Sequence, residues 1–239
     1  MKGPRYAIAY LLVVHAPQVA HSQAATGQTS PTALRPCGET LFSPRSESSS
    51  LRAQAIVADA LRPDPGPDKE VLWLFVVQPS FQPEWSIAGI RKSSGGGDAV
   101  ELRIASDPLD PTHREYILKG QGPVPVLSSS IRSRQMPAEV LSGIQRAAFQ
   151  AAFRARYEAA QASGLDGISY HFFAQGRGVT TVCSTTWSPK KGTDAEAMTE
   201  LAAAIREAAS GGASATKNTD ARLLRQVEAT LAALAAHGP

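Results

Sequence analysis

The chain has 239 residues, of which 43% are hydrophobic, 6% aromatic and 19% charged, and only two are cysteine. That apolar content is too high for wholesale disorder and too dispersed for a multi-spanning membrane protein, and two cysteines exclude a disulfide-dense scaffold and a four-cysteine zinc site. The formal net charge of +3 comes from 24 basic against 21 acidic residues; losing Lys2 and Arg5 with an acid-free leader leaves 22 against 21, or +1. A charge this small gives no reason to invoke nucleic acid or an anionic membrane as a partner.

Residues 1–24 have the layout of an export signal. Lys2 and Arg5 form a positive start, Ala7 to Val14 form a short apolar run, and Pro17 breaks it. The small residues Ser22, Ala24 and Ala25 then suit a signal peptidase, so cleavage is expected near Ala24 or Ala25. The apolar run is well short of the roughly 18–20 residues that a spanning helix needs, and no second run of that length follows, so no transmembrane segment is expected in the mature chain. An oxidising compartment, periplasmic or extracellular, makes a Cys37–Cys183 disulfide the simplest use of the two thiols.

After an extended Ser/Thr/Pro-rich lead-in over 25–50, the stretch Leu51–Leu61 fits a helix by its spacing of Leu51, Ala55, Ala58 and Leu61, with a strand as the competing reading. Val71 to Val77 is a continuous apolar run, as in a strand buried on both faces. Trp85–Lys92 and the alternating Val100, Leu102 and Ile104 continue it into an antiparallel meander. The Pro-rich stretch 106–136 reads as loop with one or two short strands. Pro137 opens a long helix that runs to about Ser163, with Leu141, Ile144, Ala148 and Ala152 on one face. Arg146, Arg154 and Arg156 read as its solvated side.

A hairpin follows over Ile168–Trp187, turning at Gly176-Arg177-Gly178. Thr193-Asp194-Ala195-Glu196 is a capping box that starts another helix, which ends at Gly211-Gly212. Residues 210–218 read as a Gly/Ser/Ala linker, and residues 219–239 as an amphipathic helix with Leu223, Val227, Leu231 and Leu234 on one side. The pattern predicts an α+β fold in a single domain over 51–209. That fold is a mainly antiparallel sheet of about five strands packed with a long helix and one or two shorter ones. The last helix is expected to be peripheral, on a flexible joint.

The candidate chemistry is sparse. There is no Gly-x-Ser-x-Gly elbow, His-Glu-x-x-His pair, P-loop, Rossmann glycine pattern or EF-hand loop. Ser169 and His171 share a strand face, about 7 Å apart, which is too far for a direct nucleophile–base hydrogen bond. Lys190, Lys191 and Thr193 stand at a helix N-terminus, where backbone N–H groups and positive charge suit an anion. No metal site or cofactor is expected. The inventory favours an exported, non-catalytic binding or structural module with a protein or small-molecule partner. The alternatives are a secreted hydrolase with a scattered site, and a secreted inhibitor or immunity-like protein.

Overall fold

A computed structural model of the chain describes residues 34–37, 49–64, 66–80, 82–92, 97–105, 116, 118–121, 126–155, 167–175, 181–211 and 217–236. The leader, most of the lead-in and the centre of the 210–218 linker lie outside these. The described elements are β1 (Arg35–Pro36), α1 (Ser49–Ala60), β2 (Lys69–Pro79), β3 (Trp85–Lys92), β4 (Ala99–Ala105), β5 (Ser129–Gln135), α2 (Ala138–Arg154), β6 (Ile168–Ala174), β7 (Val182–Trp187), α3 (Asp194–Ser210) and α4 (Lys217–Ala236). Among them no helix is long and apolar enough to cross a membrane.

The fold is α+β, with one sheet of seven strands in the order β1-β7-β6-β2-β3-β4-β5, every pair antiparallel. The expected meander is β2-β3-β4, and the expected hairpin is β6-β7. The expected count of about five strands is two short. β1 has only two residues, too few to show any periodicity. β5, Ser-Ser-Ile-Arg-Ser-Arg-Gln, carries one apolar side chain in seven residues, so alternation does not report it.

The two sheet faces bury different partners. Phe75 and Val77 of β2, Ile87 of β3, Val100 and Leu102 of β4 and Phe172 of β6 point toward α2, α3 and α4 and share one core with Leu141, Ile144, Met198, Leu201 and Ile205. A register shift between Val71 and Trp73 puts both Leu72 and Trp73 into that core. On the opposite face, Leu74, Val76, Ala88 and Ile90 pack with Val57 and Leu61 at the end of α1, which resolves the ambiguous 51–61 stretch as helix.

Trp73 joins the layers. Its indole N–H donates to the carbonyl of Leu141 in α2, at 3.2 Å. Beneath the ring lies Gly89 of β3, where an added Cβ would stand 2.3 Å from Trp73 Nε1. A strand glycine is usually a weakness; here it is the space the indole occupies.

Two expectations are corrected in the helical layer. Arg154 is not on a solvated face. Its Nε lies 3.0 Å from a carboxylate oxygen of the fully buried Asp194, in the first turn of α3, and its guanidinium also donates to the carbonyl of Leu234 near the end of α4. One arginine at the C-terminus of α2 thus ties three helices, and the acid it meets is well placed at a helix N-terminus. Nor is α4 peripheral. Leu223, Val227 and Leu234 are at most 2% exposed and belong to the main core. Gly143 of α2 lets Val227 approach so closely that a Cβ there would meet its Cγ1 at 2.6 Å. The amphipathic stripe is apolar because the domain buries it, whatever the linker before it does.

Replacing Leu234 with Ala is therefore expected to lower the unfolding free energy by about 2–5 kcal/mol. Deleting residues 217–239 should cost at least as much. Urea unfolding followed by tryptophan fluorescence checks both, and an unchanged midpoint would mean that α4 lies outside the core.

Candidate functional site

The strand order gathers the sequence candidates on the sheet face opposite α2–α4. In β6, Ser169, His171 and Phe173 alternate with the core-facing Tyr170 and Phe172. Register then sets their neighbours. Ser169 lies between Gln78 of β2 and Trp187 of β7, His171 between Val76 and Thr185, and Phe173 between Leu74 and Cys183. Phe173 packs against the Leu74, Val76, Ala88 and Ile90 cluster that α1 covers, and His171 stands beside Val76 of that cluster.

His171 has a specific partner. Its Nε2 is 3.3 Å from Oε1 of Gln78, so the ring donates Nε2–H to the amide oxygen. Gln78 was not among the sequence candidates. It stands 93 residues away, and only the pairing of β6 with β2 brings it there. Thr185, the cross-strand neighbour on the other side, donates its hydroxyl to the carbonyl of Tyr170 at 2.9 Å. Burial lowers the pKa of His171 to about 4, because the charged ring would lose water without gaining a counter-charge. At neutral pH the ring is uncharged. Ser169 and His171 lie one repeat of the strand apart, with Ser169 in the Gln78–Trp187 row, so the structure places them on one face without making them a hydrogen-bonded pair.

The same ends of β2, β6 and β7 close in a polar junction. Ser80 N–H and Oγ both donate to the Gly167 carbonyl, and Gly167 N–H donates back to Ser80 Oγ. Ser188 takes a left-handed φ of 41°, and its N–H donates to Ile168 O while its hydroxyl accepts from Ile168 N. The Trp187 indole lies where a side chain on Gly167 would be, 2.4 Å from a built Cβ. These bonds hold the strand ends together and explain the one non-glycine residue with positive φ among the described residues.

Beyond Ser188 the chain turns into α3. Thr193 caps α3 as its spacing requires, while the Glu196 side chain returns to the residue before the cap. Thr193 Oγ1 accepts from Glu196 N at 3.2 Å and donates to Lys190 O at 2.7 Å, while Gly192 N–H donates to a Glu196 carboxylate oxygen at 2.6 Å. The chain's own carboxylate thus takes the place an external anion would use at this N-terminus. Lys190 and Lys191 are exposed beside it. Among the described residues, no group of three His, Cys, Asp or Glu side chains is placed to hold a metal ion.

The expected disulfide is present. Cys37 and Cys183 are bonded across 146 residues of sequence, with Cα atoms 5.4 Å apart. Cys37 N–H also donates to the Cys183 carbonyl at 3.3 Å, extending the pairing of Arg35 with Thr185 and Pro36 with Ser184. Leu34, just before β1, is 1% exposed and sits in the main core. The bridge therefore holds a buried side chain and a short strand on the β7 edge of the sheet.

With this geometry in place, comparison with known proteins finds no matching family model, no similar curated protein and no similar solved structure.

The His171 environment has a consequence for stability. The unfolded chain protonates the ring near pH 6.5, and the fold resists protonation down to about 4. Between these values the unfolded state binds more protons, so this contribution is fully present above pH 6.5 and is lost as the pH falls toward 4. The loss amounts to as much as about 3 kcal/mol. Urea midpoints at pH 7 and pH 5 should fall further in the wild type than in His171→Gln, and equal shifts would mean that another group carries the pH dependence.

Proposed function

We propose that the chain is an exported, non-catalytic binding module. The observation that carries the export half is the Cys37–Cys183 disulfide, which joins a residue after the leader-like segment to β7, beside one edge of the sheet. A bridge closing so long a loop restricts the unfolded chain strongly, by about 5 kcal/mol in the chain-entropy treatment, and such a bond persists in an oxidising compartment. The positive start, the short apolar run and the small residues near Ala24 supply the matching address.

The non-catalytic half rests on what the candidate groups are already doing. His171 is neutral, and its Nε2 is engaged by Gln78, the cross-strand neighbour of Ser169, and not by Ser169 itself. A nucleophile of the serine type needs its base within hydrogen-bond reach. The α3 N-terminus is occupied by Thr193 and Glu196, and the acid beside them, Asp194, is committed to Arg154. Of the polar groups that the sequence offers for chemistry, His171 and Thr193 have structural partners, and these assignments support a surface that binds over a pocket that reacts.

Expression with the native leader tests the reading. The exported protein should lack residues 1–24 or 1–25 by intact mass, and non-reducing peptide mapping should recover the Cys37–Cys183 pair. A screen against ester, glycoside, phosphate and peptide substrates should show no turnover that His171→Ala removes. A turnover lost in that variant, with folding intact, would replace the binding reading with a hydrolase.

A further inference from the structure

The two edges of the sheet are treated differently. At one edge β7 is covered by Leu34–Cys37, a short cover that contains Pro36 and is held by a disulfide. Short edge strands and edge proline are the usual means of preventing a sheet from recruiting another chain. At the other edge β5 runs seven residues in unbroken register with β4, with no proline and no bulge, and among the described residues it is the last strand of the sheet. Ser130, Ile131, Arg132 and Ser133 are all exposed.

Which backbone groups of β5 point outward follows from one hydrogen bond. Met136 N–H donates to Asp98 O at 3.1 Å, continuing the pairing of Gln135 with Ala99. Backbone groups alternate in direction along an antiparallel strand, so Ser130, Arg132 and Arg134 bond to β4. Ser129, Ile131, Ser133 and Gln135 then turn their N–H and C=O groups away from the sheet. The neighbouring pair agrees. Ala105 N–H donates to Glu84 O, so the odd residues of β4 bond to β3 and the even ones to β5.

The side chains select among partners. Arg132 pairs with Leu102 and Arg134 with Val100, so both guanidinium groups lie on the helix-covered face. Arg134 is buried, bonded to Asp220 of α4 and to the carbonyl of Ala208. Arg132 is exposed, and among the described residues it reaches the carbonyl of Ser210, at 3.5 Å. Ile131, 54% exposed, lies on the opposite face. A second copy added in the register that pairs the whole strand would set Arg132 against Arg132, and like charges directly opposite are destabilising.

We propose that β5 is a docking edge that takes an extended segment of another protein as an eighth, antiparallel strand. The guest places a carboxylate opposite Arg132 and an apolar side chain opposite Ile131, and it exchanges backbone hydrogen bonds with Ile131 and Ser133. This rests on the binding-module reading and names its surface. Recognition is mainly through the main chain, with Arg132 providing the charge preference.

The test uses the exported full chain and two capped heptapeptides, Val-Glu-Val-Glu-Val-Glu-Val and its lysine counterpart, with amide exchange read residue by residue by NMR. The glutamate peptide should slow exchange at Ile131 and Ser133 and leave Arg132 and Arg134 unchanged. The lysine peptide should bind at least about fivefold more weakly. Ser133→Pro removes an outward N–H without touching the β4 ladder, so it should fold normally and bind at least about tenfold more weakly. Arg132→Glu should reverse the peptide preference, and it serves if the proline variant does not fold. No protection of Ile131 and Ser133, or equal binding of the two peptides, would overturn the proposal. So would a dimer in which those amides are protected without peptide. Failure here without substrate turnover would leave a binding module that uses another surface, whereas His171-dependent turnover would overturn the binding reading itself.

Discussion

The fit of the Trp73 indole into the space above Gly89 is the constraint on which the architecture depends. The ring fills a position that any other residue at 89 would block, packs at a tilt with its centroid 5.1 Å from that of Phe75, and spends its one polar group on the carbonyl of Leu141. Because that N–H is buried, leaving it unmatched would cost about 1–3 kcal/mol, so α2 is fixed in height as well as in contact. Once α2 is fixed, Gly143 offers the close approach that Val227 fills. Arg154 at its far end then selects where α3 begins and where α4 ends. The helical layer is positioned by polar and steric matches at both ends of α2, and the Leu, Ile and Ala contacts between them supply the bulk of the burial.

How much of this was legible depended on whether the information was local. The meander, the hairpin, the start of α2 and the Thr193–Glu196 box are written in periods of two and 3.6 and in fixed offsets, and all appear where the pattern put them. β5 falls in the 106–136 stretch expected to hold one or two short strands, but its position there escaped because an edge strand needs no alternation. Its arginines are satisfied by carbonyls and an acid in distant helices, so polarity at those positions marks contact with helix ends and not a loop. Arg154 looked solvated for a related reason, since its partner Asp194 lies 40 residues on and presents itself in the sequence only as part of a cap. The docking of α4 turns on the shape match of Gly143 and Val227, which no periodicity records.

The candidate site divides in the same way. Period-two reading placed Ser169 and His171 on one face, but the role of His171 is set by Gln78, and that contact exists because β6 returns beside β2 and not beside β5. The alternation is local, whereas the sheet order is a global outcome of where α2 carries the chain. Likewise the lysines before α3 suggested an anion, but the Glu196 carboxylate folds back onto Gly192 N–H, just before the Thr193 cap.

The sheet order also explains why the two edges differ. The strand beside β7, Arg35–Pro36, is only two residues long, and it is held by Leu34 in the core and by a covalent bond. The strand at the opposite edge is followed at once by α2, through Met136 and Pro137, and its inner arginine is anchored to α3 and α4. β5 is therefore held rigid from the helix side without needing a neighbour on its outer side. A rigid strand whose outward amides have no partner among the described residues loses little conformational freedom when another strand joins it, which is the condition under which main-chain pairing yields net affinity.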